Sequence, residues 1–105
     1  MSTDREILED AAKAAGYIPA RMSDDGRGLL LHGVQDPWGP LTDDGDCARM
    51  EAACGIDVSW CGGFVKSNGP NVSFAATFVA HGGDKNAARR FASTYVAAAM
   101  AKGEQ

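Results

Sequence analysis

Three stretches of this chain each begin on a residue suited to cap a helix and close on a glycine, and this punctuation restricts the possible folds more than any other feature. Thr3-Asp4-Arg5-Glu6 reads as a capping box, in which the threonine oxygen accepts a first-turn amide and Glu6 reaches back to the cap amide. Ile7, Leu8, Ala11, Ala12 and Ala15 follow at helical spacing, and Gly16 supplies a left-handed stop, so a helix is expected over residues 4–15. Thr42 or Asp43 caps a second helix. Cys47, Met50, Ala53 and Cys54 share one stripe of it, and Gly55 ends it. Asp84 caps the third, whose apolar stripe is Ala87, Ala88, Phe91, Tyr95, Val96 and Ala99, and Gly103 closes it.

The segments between these helices read as strands. Tyr17 to Met22 is a short strand, and Pro19, which has no amide to donate, places it at a sheet edge. Ser23-Asp24-Asp25-Gly26 is a turn leading into Leu29-Leu30-Leu31, a continuous apolar run that predicts cover on both faces. Asp36-Pro37-Trp38-Gly39-Pro40-Leu41 is a stiff connection, because two prolines exclude regular helix and central strand. Ile56, Val58 and Trp60 alternate with Asp57 and Ser59, which places Trp60 in the core. Gly62-Gly63 predicts a bulge or kink, after which Phe64 and Val65 resume the strand. Asn68-Gly69-Pro70-Asn71 is a turn, and Val72, Phe74, Ala76 and Phe78 form one face of a fourth strand.

The order is helix, two strands, helix, two strands, helix. This predicts an α/β (α+β) domain spanning 1–105, a three-layer αβα sandwich in αββαββα order around a four-stranded, mainly antiparallel sheet with helices on both faces. A chain of 105 residues suits one domain with one core. Its apolar stretches are far shorter than a spanning helix requires. The polar start Met1-Ser2-Thr3-Asp4-Arg5-Glu6 is not that of a secretory signal, and three cysteines, Cys47, Cys54 and Cys61, read as free thiols, so a cytoplasmic location is expected. The net charge is −4 and uneven. Residues 36–57 carry six acids against Arg49, whereas residues 58–105 carry five bases against Asp84 and Glu104. The overall acidity argues against a nucleic-acid partner, with Lys85, Arg89 and Arg90 the residues through which a weak contact would run.

The string Pro40-Leu41-Thr42-Asp43-Asp44-Gly45-Asp46-Cys47-Ala48-Arg49, led by Trp38 and followed by Ala53-Cys54-Gly55-Ile56, resembles a motif of the phage alpha-beta-alpha sandwich domain family. That family carries a W-x-P-L-x-x-D-G-D-A-x-R-L pattern ahead of an L-G-I helix end. The resemblance extends loosely to Ala11–Gly16 and to the alanine-rich last helix with Arg89 and Arg90. Cys47 stands where alanine is usual and Met50 where leucine is usual, and both keep a core character. The resemblance implies a fold and a phage or prophage origin. It implies no activity for any residue.

Each group that could carry chemistry has a plainer structural role. Asp43, Asp44 and Asp46 lack the spacing of a calcium loop, and acids in a first helical turn cap free amides and complement the helix dipole. Cys47 and Cys54, seven apart, share a helical face, while Cys61, His32 and His81 lie on or beside strands. None has the C-x-x-C or H-x-x-x-H spacing of a zinc site, and buried thiols behave as small hydrophobes. Gly82-Gly83 ahead of a helix start matches no phosphate-binding loop, and Asp84 would repel an anion. No catalytic residue, cofactor or metal ligand is assigned.

Trp38 in its stiff loop, with Asp43, Asp44 and Asp46, is the candidate partner-binding surface if its ring is exposed. The competing reading is a tryptophan lid packed on the sheet edge, which large aromatics more often form. The expected function is that of a non-enzymatic phage or prophage accessory protein binding an unidentified host or phage protein. The alternatives are a small-ligand or enzymatic site, around His32, His81 or the cysteines, and the nucleic-acid contact above.

Overall fold

The computed structural model describes residues 4–23, 28–33 and 37–103. Thr3 of the expected capping box, and Asp24, Asp25 and Gly26 of the first turn, lie outside the described residues. Among those described, the elements are α1 (Asp4–Ala14), β1 (Pro19–Met22), β2 (Leu29–Leu31), α2 (Asp44–Cys54), β3 (Asp57–Trp60), β4 (Phe64–Asn68), β5 (Ser73–Thr77), a single 3-10 turn (Val79–His81) and α3 (Lys85–Ala101). No helix among them is long and apolar enough to cross a membrane.

The mixed α+β class holds, but the expected single four-stranded sheet does not. β1 and β2 form a separate antiparallel pair, while β3, β4 and β5 form an antiparallel sheet in that order. Two local events divide the strands this way. The free edge of β2 is closed by Trp38, whose backbone exchanges hydrogen bonds of 2.7 and 2.8 Å with Leu29. Gly62-Gly63 lies in a tight turn instead of kinking one strand. Cys61 N–H donates to Phe64 C=O at 2.9 Å, and the chain reverses to pair Trp60 with Val65.

The layering is also inverted relative to the expected sandwich. One face of the larger sheet carries Val58, Trp60, Val65, Ser67, Phe74 and Ala76, and α3 packs on that side over β4 and β5. The opposite face presents Ser59, Phe64, Lys66, Ser73, Ala75 and Thr77 to solvent, with no helix over it among the described residues. The element covered on two sides is α3. Its Ala88 and Ala92 pack toward Val65, Ala76 and Phe78, and its Val96, Ala97 and Ala98 join a second core with Ile7, Leu8, Ala11 and Ala12 of α1 and Met50 of α2. Ala11, Ala12 and Ala97 are fully buried, so small side chains set the approach of α1 to α3.

Trp60 corrects a second expectation. Its place on the inner face follows from the alternation, but it is 50% exposed. β3 is the outer strand, beyond the part of the sheet that α3 covers, and the Trp60 ring meets that of Phe78 with centroids 6.3 Å apart.

Candidate functional site

The proline loop, the acidic start of α2 and the basic stretch of α3 converge on one seam. Asp43 is the N-cap, with extended backbone, and its Oδ1 accepts from Asp46 N–H at 3.0 Å. The Asp46 carboxylate accepts from Gly39 N–H at 3.0 Å and from the Arg49 guanidinium at 2.6 Å, which ties the proline loop to the helix it precedes. Asp44 pairs with Arg90 at 2.7 Å, and Arg90 Nε donates to Leu41 C=O at 3.0 Å. Each acid of the cluster therefore holds a piece of backbone or an arginine. The first-turn placement follows from helix-end chemistry, since free amides there attract carboxylates.

Trp38 lies beneath this cluster. It is 4% exposed, its ring meets Tyr17 edge-on at 5.5 Å, and its Nε1 has no hydrogen-bond partner among the described residues. The lid reading fits this placement. A buried ring does not serve as an exposed anchor, so of the four proposed partner-binding residues only Asp43, Asp44 and, in part, Asp46 reach the surface.

One turn further along α2, Glu51 is 7% exposed, an unusual position for a carboxylate. Four donors converge on it. Arg89 grips both its oxygens, Nε at 3.1 Å and Nη2 more closely, and Ser93 Oγ donates to Oε2. Cys47 Sγ donates from one turn back at 3.6 Å. Ser93 Oγ also bonds the fully buried Ser67 Oγ of β4 at 2.8 Å, so a polar chain runs from α2 through α3 into the sheet. The composition of α2 contained a signal for this network. Cys47, Glu51 and Cys54 share one stripe, and an acid on an apolar stripe requires a cation and hydroxyls opposite it. Arg89 and Ser93, four apart on α3, supply them.

The thiols follow from their surroundings. Burial, reinforced by the Glu51 carboxylate, pushes the Cys47 thiol up to about 12, and burial also raises Cys54. Both remain protonated, hydrophobic groups near neutral pH, the opposite of what a thiolate nucleophile requires. Cys61 is exposed at the β3–β4 turn, His32 is exposed, and the His81 ring meets that of Phe91 at a tilt, with centroids 5.2 Å apart. Among the described residues no three histidines, cysteines or acids are grouped to hold a metal ion.

The arginines follow the same logic. Hydrogen bonding to Glu51 raises Arg89 further above its ordinary range, and both Arg89 and Arg90 are largely covered by their ion pairs. Only Lys85 of the basic group is exposed, lying over the Phe78 ring at 5.5 Å. A phosphate backbone needs several free cations on one surface, and the two forks that would supply them are occupied.

The fold and this seam define a small α+β domain in which a buried ionic cluster joins two helices to a sheet. No family model, no curated protein and no solved structure matches the chain.

Proposed function

We propose that this chain is a non-enzymatic accessory protein of phage or prophage origin that acts in the bacterial cytoplasm by binding a host or phage protein. The W-x-P-L-x-x-D-G-D motif supports the origin. The roles of Asp43, Asp44, Asp46 and Glu51 as caps and ion-pair partners support a structural rather than catalytic use of the acids.

The observation that carries the binding reading is the exposure of three large apolar side chains at one end of the larger sheet. Trp60 is 50% exposed, Phe64 37% and Val79 88%. Trp60 and Phe64 flank the β3–β4 turn, and Val79 follows β5 where Thr77 pairs with Phe64. The two rings lie on opposite faces of the sheet, Trp60 with Val65 on the inner face and Phe64 with Thr77 on the outer. A partner that grips the sheet end around the turn would bury both, and buried aromatic rings supply much of an interface's affinity. The acids at Asp43 and Asp44 are a separate, polar surface.

The test is affinity capture from host and phage-infected lysates with wild type, with Trp60→Ser/Phe64→Ser and with Lys66→Ala. A protein captured stoichiometrically by wild type and Lys66→Ala, but lost with the double variant at unchanged melting temperature, is the expected result. The same proteins recovered with all three would reject the sheet-end surface. A product formed from added substrate by purified protein would reject the non-enzymatic reading.

A further inference from the structure

Of the five strands among the described residues, four have their edges closed, charged or interrupted, and one does not. β1 carries Pro19 and a register shift between Pro19 and Arg21. The outer edge of β2 is occupied by Trp38. β4 is central. β3 begins on the exposed acid Asp57, and the amide of Ile56 just before it is already bonded to Glu51 C=O at 2.9 Å. These are devices by which proteins discourage strand addition. β5, Ser-Phe-Ala-Ala-Thr over residues 73–77, has no charge, no proline and an unbroken register with β4.

The hydrogen-bond phase of β5 shows which groups are open. Gly69 N–H donates to Val72 C=O at 2.7 Å, and Phe78 N–H donates to Gly63 C=O at 3.1 Å, bracketing the β4–β5 ladder. In an antiparallel ladder these pairs alternate, so Phe74 and Ala76 direct their backbone groups at β4. Ser73, Ala75 and Thr77 therefore turn N–H and C=O outward, and no described residue bonds those groups.

We infer that β5 is the contact of a symmetric homodimer, in which two copies pair β5 antiparallel about a twofold axis at Ala75. The phase is self-complementary. Ser73 falls opposite Thr77 of the second copy, and Ala75 opposite Ala75, all with outward-facing backbone groups. Phe74 falls opposite Ala76 of the second copy, a large side chain against a small one. Ser73, Ala75 and Thr77 are small on the solvent face, so two sheets meet without a clash there. Flanking the same edge on the helix side is a row of rings. Tyr95 is 37% exposed and lies 4.4 Å from Phe74, and Phe91 lies 5.9 Å from Phe74. Pairing brings the two rows together across the axis and joins the sheets into one continuous sheet. The backbone phase suits any antiparallel strand. What selects a second copy is the side-chain match, in which Phe74 and Ala76 exchange places across the axis and both halves of the interface gain the same large-on-small contact. A short edge and a few rings fall toward the small end of specific interfaces, so the expected dissociation constant is on the order of 10–100 µM. This inference rests on β5 and does not depend on the partner surface at Trp60 and Phe64.

Sedimentation equilibrium of the full chain over a wide concentration range tests it, together with amide exchange followed by NMR. Wild type is expected to pass from monomer to dimer, with Ser73, Ala75 and Thr77 amides gaining protection as it does. Ala75→Pro removes an outward amide that β4 does not use, and Ala75→Lys keeps the amide but sets two ammonium groups face to face across the axis. Each should raise the dissociation constant about tenfold or more while circular dichroism and melting temperature stay close to wild type. A wild-type monomer at about 1 mM, ten times the weaker limit of the expected range, would overturn the inference. So would a dimer that both variants retain, or one in which the three amides exchange freely.

Discussion

Replacing Glu51 by alanine removes the acceptor on which α2, α3 and the sheet converge. The carboxylate takes two bonds from Arg89, one from Ser93 and one from Cys47. Truncating one member of a buried ion pair generally costs about 3–5 kcal/mol, because the partner charge stays desolvated. Arg89 retains 22% side-chain exposure, so its guanidinium can partly recover water, and the lower limit of about 3 kcal/mol applies. Over 105 residues the unfolding entropy is about 0.22 kcal/mol/K near the midpoint, so the melting temperature should fall by ~14 °C. The companion variant, Glu51→Leu with Arg89→Met, removes both charges and fills similar volume. It should recover to within about 1 kcal/mol of wild type, because paired buried charges contribute little net stability over a well-packed apolar substitute. Urea unfolding of wild type, Glu51→Leu, Arg89→Met and the double variant gives the coupling energy directly, with Glu51→Ala measured beside them. A loss below about 1 kcal/mol for Glu51→Ala, or a double variant no better than the single, would refute this account of the seam.

Trp38→Ala should cost about 3–5 kcal/mol in urea unfolding, the loss of a core aromatic, and should unfold the domain before it alters any surface; a cost under about 1 kcal/mol would place the ring outside the core. At Gly28 an added Cβ would lie 2.6 Å from the Trp38 carbonyl oxygen, a backbone atom, so Gly28→Ala should cost about 1–3 kcal/mol and lower the urea midpoint. Thiol titration of the folded protein near pH 8 should label Cys61 rapidly, and Cys47 and Cys54 only on unfolding. Because burial raises Cys47 from 9.0 to about 12, the unfolded chain loses that proton first. The contribution of this group to stability is therefore whole below pH 9 and falls as pH rises toward 12, and Cys47→Ala should flatten the decline in urea midpoint over that window.

Much of the local structure was legible. The start of α2 at Asp43 and its end at Gly55, with φ of 71°, follow from interactions that span a few residues. The same holds for the cap at Asp84, but the stripe of α3 was legible only in part. Ala88, Val96 and Ala99 are buried as expected, Tyr95 is exposed, and Ala92 and Ala97 are buried because a second core lies on the other side of the helix. The alternation of Val58 and Trp60 correctly put both on the inner face of a strand. It carried no information on whether a helix would lie above Trp60, because that depends on which strand ends up outermost. Gly62-Gly63 permits a kink or a reversal equally well on steric grounds, and the bond from Cys61 to Phe64 selects the reversal. Glu51 and Arg89, 38 residues apart, were each visible as charges, but their meeting was not.

By itself the sequence determined where helices begin and stop and which side chains share a face, because caps reach three residues and strand periodicity repeats every two. Only the tertiary structure decided that there are two sheets, that α3 is the element covered on both sides, that Trp38 is buried while Trp60 is not, and that the acids are matched to arginines. Those outcomes depend on which surfaces meet once the elements pack, and the energy that selects among them is spread over many contacts distant in the chain.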